Sequence, residues 1–404
     1  MLFEHAERKE KMDNFTFYSP TYFAFGKGQE QEAGKLVKRF GGTKVLIHYG
    51  GGSVVRSGLL DRVKASLEAE AIPYIELGGV QPNPRSGLVY EGIQIARREK
   101  VDFILAVGGG STIDSSKAIA AGVPYDGDFW DFYCGKPVEK GMALPIGTVL
   151  TIAAAGSEGS PDSVITREDG LLKRGASGEG LRPGFSILNP ELTQTLPAYQ
   201  TACGVTDIMA HLLERYFTRT ANVEATDRMI EAHLLTMIHE APLVIADPNN
   251  YDARANIMWA GMMAHNNSCG VGRSQDWASH GIEHELSAQY DCAHGAGLAV
   301  VFPAWMTYNY KEDVMRFAQL ATRVWGCQMN FANPEETALE GIARFKSFLK
   351  SIGMPLTFAE LGASESDIEL MAHRCAYGNG GSGTVGGFVS LTEEDIASIY
   401  RLML

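Results

Sequence analysis

Hydrophobic residues follow different patterns in the two halves of the chain. In the first half, short apolar runs alternate with amphipathic stretches, and the clearest runs are residues 44–50 (KVLIHYG), 73–77 (PYIEL) and 101–107 (VDFILAV). This alternation predicts parallel β-α-β units. Two of the runs are apolar almost throughout, as expected of strands that helices cover on both faces. We therefore predict an α/β domain with a doubly wound, Rossmann-like parallel sheet over residues 13–195.

The apolar spacing changes to three and four residues from Pro197 onward. Such spacing is typical of helices that bury one face. The stretches that show it are residues 202–217, 225–245, 254–268 and 313–326. We predict a boundary near residues 189–197, an all-α domain over 196–404, and a ligand in the cleft between the two domains. Residues 1–12 are expected to be a polar, disordered extension, and the glycine-rich residues 378–387 to be a flexible connection.

Composition narrows the choice of partners. The chain has 404 residues, 48 of them acidic and 35 basic, so its formal charge is −13. The absence of a Lys/Arg cluster argues against nucleic acid or an anionic membrane surface as the main partner. The six cysteines form no Cys-x-x-Cys pair, which favours reduced thiols, and no apolar run approaches the roughly 20 residues of a membrane span. We expect a cytoplasmic homodimer that acts on a small molecule.

A glycine-rich turn follows the third apolar run. The next helix carries Asp114, and the turn between strand and helix consists of Gly108, Gly109, Gly110 and Ser111. Glycines let the backbone approach a phosphate, and the free N–H groups of a helix start favour its negative charge. We interpret this turn as a pyrophosphate cradle; the alternative is a tight turn with no ligand.

A second turn of this kind ends the first apolar run and consists of Gly50, Gly51, Gly52 and Ser53. Two such turns in adjacent β-α-β units favour a dinucleotide over a single phosphate. Many dinucleotide sites have a carboxylate at this point that binds the ribose 2′-OH, whereas this turn has none and would not repel a 2′-phosphate. We therefore predict NADP(H); the alternative is that the glycines only close a turn.

One aspartate and several histidines of the second half are spaced as metal ligands. Asp207 and His211 are four residues apart and share one helix face, as do His280 and His284, and His294 follows in a glycine-flanked turn. A carboxylate with two or three neutral imidazoles suits one Fe²⁺ or Zn²⁺ ion with an open position for substrate. These are five candidates for four positions, and spacing leaves open which of His280 and His284 binds the metal.

Longer motifs occur along the chain in a characteristic order. They are FAFG (23–26), HYGGGS (48–53), GGVQPNP (78–84), AVGGGSTIDSSKAIA (106–120), GTVLTIAAAGSE (147–158), GVTDIMAH (204–211), and WASHGIEHELSA with CAHGAGLA (277–299). With these motifs, the chain resembles the iron-containing (group III) alcohol dehydrogenases, in particular their NADPH-dependent butanol dehydrogenase and aldehyde reductase branch. The resemblance implies the dehydroquinate synthase-like fold, in which a Rossmann-like domain precedes an all-α domain.

The resemblance also implies roles for individual residues. The metal, with Fe²⁺ favoured over Zn²⁺, is implied to bind Asp207, His211, His280 and His294. His284 is implied to lie beside the metal, where it relays a proton or orients a ligand. The residues implied to contact the cofactor are Gly109, Gly110, Ser111, Asp114, Thr148, Thr151 and Lys173. Gly50 stands where NAD-preferring relatives carry an aspartate. The chain departs from the family at Ala155, where relatives usually have threonine, and in residues 176–184.

The implied reaction is hydride transfer between NADP(H) and a carbonyl carbon, with the metal as Lewis acid. Small, uncharged aldehydes are the predicted substrates, because apolar residues lie near the metal ligands in sequence. These residues are Met262, Met263, Cys269, Gly270, Val271 and Trp277. Arg273 alone in residues 265–300 could bind an anionic substrate, which would indicate an acid-semialdehyde reductase or a dehydroquinate synthase-like lyase. A non-catalytic NADP-binding protein would lack the metal ligands.

Overall fold

The computed structural model describes residues 11–378 and 381–404. The strands are β1 (Tyr22–Phe25), β2 (Val45–Gly50), β3 (Tyr74–Val80), β4 (Phe103–Gly108), β5 (Ile146–Leu150), β6 (Asp162–Arg167), β7 (Leu172–Ser177), β8 (Phe185–Leu188), β9 (Thr384–Val385) and β10 (Leu391–Thr392). The α-helices are α1 (Ala33–Arg39), α2 (Ser53–Arg56), α3 (Leu59–Ala69), α4 (Ser86–Glu99), α5 (Gly110–Gly122), α6 (Ala198–Tyr216), α7 (Glu224–Ala246), α8 (Tyr251–His265), α9 (Ala278–Tyr290), α10 (His294–Asn309), α11 (Val314–Arg323), α12 (Pro334–Ser351), α13 (Phe358–Leu361), α14 (Ile368–Tyr377) and α15 (Glu393–Arg401).

Residues Tyr18–Leu196 and Asp247–Asn266 form one compact unit. Its parallel sheet has six strands within the described ranges, in the order β1-β8-β5-β4-β2-β3. Alternate residues of the central strands enter different cores: Leu46 lies in one, and Val45 and Ile47 lie in the other. Helices therefore cover both faces, which explains why these strands are apolar throughout. The predicted doubly wound fold is confirmed.

The connections of this sheet reverse direction between β2 and β4. From β2 the chain continues to β3 on one side, and then crosses to β4 on the other. In open α/β sheets, ligands bind beyond the carboxyl ends of the strands at such a reversal. The two strands end at Gly50 and Gly108, so both glycine turns follow them directly. The topology thus brings the predicted phosphate turns to the position expected of a dinucleotide site.

The sheet unit contains three features that the sequence pattern did not indicate. The helix predicted after β2 is interrupted between α2 and α3, because Gly58 has a left-handed φ of 69° that an uninterrupted helix does not contain. Strands β6 and β7 form an antiparallel hairpin outside the main sheet. Helix α8, which the apolar spacing assigned to the all-α domain, belongs to the sheet unit by its contacts.

Among the described residues, the other unit comprises residues 11–17, 197–246, 267–378 and 381–404, and apart from β9 and β10 its regular structure is helical. Helix α6 is buried at every residue from Thr201 to Tyr216. A capping box between Thr392 and Asp395 begins α15. Of the predicted extension, residues 1–10 lie outside the described residues, and so do residues 379–380 of the predicted flexible connection.

Helix α7 is long and apolar enough to span a membrane, by length and composition alone. No such segment was predicted from the sequence. It has 23 residues, and an 18-residue window with a mean hydropathy of 1.3 is 33% buried. Buried helices of other proteins satisfy the same criterion. The helix also carries the acidic residues Asp227 and Glu231, both of which form ion pairs with arginines of the same unit.

Asp227 joins four segments of the helical unit. Its carboxylate accepts two hydrogen bonds from Arg316 of α11, both 2.6 Å long, and lies 2.8 Å from Nη2 of Arg273. Arg273 also donates to the main-chain oxygen of Arg215 in α6, at 2.9 Å. Burial alone would raise the pKa of Asp227, but the hydrogen bonds and charges of Arg316 and Arg273 outweigh burial and lower it.

Replacing Asp227 with Asn should lower the free energy of unfolding at pH 7 by about 3–5 kcal/mol, because two buried guanidinium groups lose their counter-charge. Glu224→Gln is the matched control on the same helix: Glu224 is exposed and pairs with Arg228 and Arg323, so its loss should cost about 1 kcal/mol or less. Urea unfolding measures both values. Equal effects of the two substitutions would contradict a structural role for the buried network.

The same network predicts a specific acid sensitivity. A carboxylate whose pKa is lowered by folding contributes stability that is present above its unfolded pKa of about 3.9 and is lost as the pH falls through the lower folded value. The difference in stability between the wild type and Asp227→Asn should therefore shrink below about pH 4. Urea unfolding at pH 7, 4 and 3 measures this difference, and a difference that stays constant would be inconsistent with the lowered pKa of Asp227.

Candidate active site

The predicted metal ligands come from three helices of the helical unit. Asp207 and His211 lie one turn apart on α6, His280 is in the first turn of α9, and His294 is the first residue of α10. The Nε2 atoms of His211, His280 and His294 lie 3.4, 3.9 and 3.8 Å from Oδ1 of Asp207. Ligands about 2.1 Å from one tetrahedral ion are about 3.4 Å apart. Ligand atoms of Asp207, His280 and His294 also lie within 4.8 Å of one another. These three side chains could therefore hold a divalent ion, and His211 approaches the same aspartate oxygen.

The hydrogen bonding of the cluster fits a metal site. Asp207 Oδ1 and His280 Nε2 are buried, and neither has a hydrogen-bond partner in the described part of the chain. A buried polar atom without a partner costs about 1–3 kcal/mol. Burial, with a smaller contribution from the charge of His294, lowers the pKa of His280 to about 3. His280 is therefore neutral, which is the form that binds metals.

The structure distinguishes His280 from His284, which spacing alone did not. Potential ligand atoms of Asp207, His280 and His294 all lie within 4.8 Å of one another, and so do those of Glu283, His284 and His294. Glu283 in the second group accepts a hydrogen bond from Nδ1 of His294, which accounts for its position without a metal. The ring centroid of His284 is 5.7 Å from that of His294. This geometry favours His280 in the metal cluster and His284 beside it.

Two glycines allow α10 to begin close to its neighbours. A Cβ on Gly295 would lie 2.0 Å from the main-chain oxygen of Cys203 in α6, and a Cβ on Gly297 would lie 2.6 Å from Oε1 of Glu283 in α9. Both distances are far below any real Cβ contact, so only glycine permits this packing. The segment HGAG therefore brings His294 against the helices that carry the other ligands.

Two buried carboxylates of the site were missed by the sequence analysis. Glu214 accepts a hydrogen bond from Nδ1 of His280 at 2.8 Å, and Glu283 accepts one from Nδ1 of His294. The sequence contained a signal for Glu214: residues 207, 211 and 214 are separated by four and then three residues, so they lie on one face of α6. Glu283 likewise lies three residues after His280. Neither spacing predicts which histidine the carboxylate contacts.

The residues predicted to line the metal site divide into two groups. The ring centroid of Trp277 lies 5.5 Å from that of His211 and 5.1 Å from that of His280, and the side chain is partly exposed. Cys269 and Met262 are instead almost completely buried, at 0% and 1% exposure. Trp277 therefore borders two of the predicted metal ligands.

Arg273 is buried, and both of its Nη atoms have partners within the protein. Its side chain has 0% exposure and pairs with Asp227. It also donates hydrogen bonds to the main-chain oxygens of Arg215 and Val223 and to the hydroxyl of Thr226. Its Nε has no partner among the described residues but is buried, so the guanidinium does not present an exposed donor to a substrate carboxylate.

In the sheet unit, the two glycine turns are neighbours. A Cβ on Gly50 would lie 3.8 Å from Oγ1 of Thr112, in the first turn of α5. A Cβ on Gly109 would lie 2.2 Å from Ile152, so the segment after β5 packs closely on this turn. Thr151, in that segment, donates its N–H to the main-chain oxygen of Gly108 at 3.0 Å. Ser111 and Asp114 are partly exposed beside the turn.

Three other residues predicted to contact the cofactor have polar partners within the protein. Thr148 has 0% exposure and donates its hydroxyl to Ser186. Asp114 accepts from Ser157 at 2.5 Å and from the N–H of Val164 at 2.9 Å. Lys173, on the β6–β7 hairpin, is buried. It donates to Oδ1 of Asn83 at 3.0 Å.

Two basic residues near these turns were not assigned to the site from the sequence. Arg56 ends α2, and its Nη1 lies 3.0 Å from the position of a Cβ on Gly52. Lys117 is completely buried in α5, and its Nζ donates to the main-chain oxygens of Ser157, Ser160 and Asp162. Burial lowers the pKa of Lys117 to about 8. Lys117 thus connects α5, the helix that follows the Gly108–Ser111 turn, to residues 157–162.

Comparison with known proteins agrees with the motifs. The chain matches the family model of iron-containing alcohol dehydrogenase over residues 20–190 and that of the family's C-terminal part over 201–404. It is 44% identical to the probable NADH-dependent butanol dehydrogenase 2 of Bacillus subtilis (strain 168), over 97% of this chain and 100% of that protein. It is 38% identical to the NADPH-dependent aldehyde reductase YqhD of Escherichia coli (strain K12), over 88% and 91% of the two chains.

A solved structure also has this fold. The NADH-dependent butanol dehydrogenase A from Thermotoga maritima superposes with a TM-score of 0.93 at 40% identity, over 98% of this chain and 99% of that one. The family models together span both units, and the similarity to individual relatives extends over nearly the full length. The chain therefore belongs to the iron-containing alcohol dehydrogenase family.

Proposed function

We propose that the protein is a metal-dependent, NADP(H)-linked alcohol dehydrogenase that reduces small, uncharged aldehydes to primary alcohols. The observation that carries this proposal is the convergence of three imidazole Nε2 atoms on the buried Oδ1 of Asp207. A divalent cation between a buried carboxylate oxygen and neutral imidazole nitrogens would compensate the negative charge and use the nitrogen lone pairs. Relatives named for butanol and for aldehyde reduction support the substrate class.

Each residue of the metal cluster has a role in this proposal. Asp207, His211, His280 and His294 would hold the ion, with Fe²⁺ favoured by the family and Zn²⁺ by the ligand types. When bound, the ion would polarise the substrate carbonyl as a Lewis acid, and the dinucleotide would supply the hydride. His284, partly exposed beside His294, would pass a proton from solvent to the oxygen of the alcohol product.

The glycine turns support NADP(H) as the cofactor. The names of the relatives divide between NADH and NADPH, so the proposal rests on the residues of this chain. No carboxylate lies in the turn from Gly50 to Ser53 that could bind a 2′-OH or repel a 2′-phosphate. Arg56 adds a positive charge beside Gly52, and an arginine in this position suits a 2′-phosphate.

The environment of the metal cluster supports uncharged substrates. Trp277 presents an aromatic surface to two of the predicted ligands, and such a surface favours a short alkyl chain. An acid semialdehyde, or the phosphorylated substrate of a lyase, would need a free cationic partner. Arg273 was the candidate for that role, and its side chain is committed to Asp227 and to main-chain oxygens.

The whole proposal can be tested with metal-free protein. After chelation, reloading with Fe²⁺ or Zn²⁺ should restore the oxidation of NADPH by C2–C8 aldehydes. Activity that is the same with and without added metal would contradict the proposal. Loss of NADPH binding on chelation would contradict the assignment of metal and cofactor to residues of different units.

Replacing His280 with Ala should abolish turnover and stoichiometric metal binding but change the Kd of NADPH by no more than about twofold. The physical reason is that the metal ligands belong to the helical unit, whereas the glycine turns belong to the sheet unit. Metal content, aldehyde reduction and NADPH fluorescence titration measure the three quantities.

Two further variants make this test specific. His284→Ala should retain the metal and lose turnover, since a proton relay contributes about 10²–10⁴-fold. His239→Ala, at an exposed position on α7, should behave as the wild type. If His284→Ala lost the metal and His280→Ala retained it, the two histidines would have been assigned the wrong way round.

The wild type should have a higher kcat/KM with NADPH than with NADH, and Gly50→Asp should reverse or greatly reduce this preference. A carboxylate at position 50 would accept from a 2′-OH and repel a 2′-phosphate. The substitution is sterically permitted, because its Cβ would lie 3.5 Å from the nearest atom, the main-chain oxygen of Val80. Gly50→Asn is the uncharged control and should shift the preference less.

Arg56→Ala should raise the KM for NADPH about three- to tenfold, because an exposed ion pair with the 2′-phosphate contributes about 1 kcal/mol. The KM for NADH should stay nearly unchanged. Arg98→Ala removes an exposed arginine that bonds Glu99 and controls for the change in net charge. Equal kcat/KM for the two cofactors in the wild type would refute the NADP(H) preference.

Butanal should be a better substrate than succinate semialdehyde, which has the same number of carbons and one added carboxylate. The apolar surface of Trp277 favours the alkyl chain, and the buried Arg273 offers no partner for the charge. Comparison of kcat/KM for the two aldehydes measures the preference. A clear preference for the semialdehyde would identify the protein as an acid-semialdehyde reductase.

A further inference from the structure

Glu214, a residue of α6, accepts hydrogen bonds from main-chain N–H groups at the start of α9. One carboxylate oxygen, Oε2, accepts the N–H of Trp277 at 2.7 Å, and the other, Oε1, accepts the N–H of His280 at 3.0 Å. The main-chain oxygen of Glu214 also accepts the N–H of Asp276 at 2.9 Å. The first turn of α9 is therefore hydrogen-bonded to a single residue of α6.

Helix α9 does not provide this cap itself. Its N-cap residue is Trp277, whose side chain makes no capping hydrogen bond. Trp277 also has a left-handed backbone with φ of 68°, which is unfavourable for a bulky residue and is retained only when its surroundings enforce it. The first N–H groups of a helix have no partners within the helix. The carboxylate of Asp276 accepts the N–H of Ala278 at 3.3 Å, and Glu214 accepts that of His280.

The same carboxylate sets the orientation of His280. Nδ1 of His280 lies 2.8 Å from Oε1 of Glu214. Because a carboxylate can only accept, we assign the ring proton to Nδ1. The lone pair of Nε2 is then directed to the other side of the ring, where Nε2 lies 3.9 Å from Oδ1 of Asp207. A hydrogen-bonded carboxylate of this kind fixes the tautomer and raises the basicity of a metal-binding histidine.

We propose that Glu214 is a positioning residue of the metal centre, which fixes the metal-binding tautomer of His280 and holds the first turn of α9 against α6. This inference rests on the proposed function, because it assumes that His280 binds the ion. Glu214 lies three residues after His211 on α6, so one helix supplies two ligands and the group that orients a third. The metal affinity of the protein therefore depends on a residue that does not touch the metal.

The test compares Glu214→Gln with Glu285→Gln. An amide at position 214 cannot accept at both ends: if its oxygen faces His280, its NH₂ group faces the N–H of Trp277. Glu285 is an equally buried carboxylate of α9 that pairs with Arg374 at 3.1 Å. Glu214→Gln should raise the Kd of the metal about 10- to 100-fold and change the visible absorption of bound Co²⁺. Glu285→Gln should leave both within about twofold of the wild type.

A second measurement avoids the need for a folded Glu214 variant. In Zn²⁺-loaded wild type labelled with ¹⁵N-histidine, NMR should show the His280 proton on Nδ1, with the signal assigned by its absence in His280→Ala. A proton on Nε2 would overturn the inference. So would a Glu214→Gln protein with a lowered Tm but with the Kd and Co²⁺ spectrum of the wild type, since Glu214 would then be only structural.

Failure of the proposed function would look different. A wild-type protein that binds no divalent ion would overturn the proposed function and this inference together. A wild type that binds the ion and reduces butanal, alongside a Glu214→Gln variant with unchanged metal affinity, would overturn only the role of Glu214. The Kd of NADPH should be unchanged in all of these proteins, which separates an effect on the metal centre from general loss of structure.

Discussion

The helical unit is organised around a carboxylate oxygen that is buried without a hydrogen-bond donor. Such an atom is unfavourable in a protein interior unless a cation compensates it. Oδ1 of Asp207 is in this position, and the atoms nearest to it in the cluster are imidazole nitrogens. The arrangement of α6, α9 and α10 follows from this constraint, since each helix must place a nitrogen close to the same oxygen.

Close helix packing and buried carboxylates together meet that constraint. Gly295 removes a side chain that would collide with the backbone of α6, so α10 can begin beside Asp207. Glu214 binds the start of α9 to α6, and Glu283 orients His294 from α9. These hydrogen bonds connect α6 with α9 and α9 with α10. A shift of one helix would therefore disturb ligands on the others, which makes the centre sensitive to substitutions outside the cluster itself.

The sequence predicted the features that depend on local pattern. Apolar runs predicted three of the six strands of the sheet, β2, β3 and β4. The spacing of Asp207, His211 and the later histidines indicated the metal candidates. It could not reveal contacts between side chains of different helices, so Glu214 and Glu283 were missed. Helix α8 was assigned to the helical domain, whereas its contacts place it in the sheet unit. Apolar spacing indicates that a helix has a buried face but not which element packs against that face.

The hydrogen bonds of three arginines in the helical unit bear on the charge of the proposed substrate more directly than the composition of the chain does. Arg215 donates to the main-chain oxygen of His211, and its guanidinium lies 4.7 Å from the ring of Trp277. Arg219 donates to the main-chain oxygen of Phe388, and Arg273 is paired with Asp227. Moving one of these side chains to a substrate carboxylate would break such bonds, and each broken bond would leave a buried acceptor without its donor. These three arginines thus contribute to the fold of the helical unit, and the uncharged aldehyde of the proposed function requires none of them.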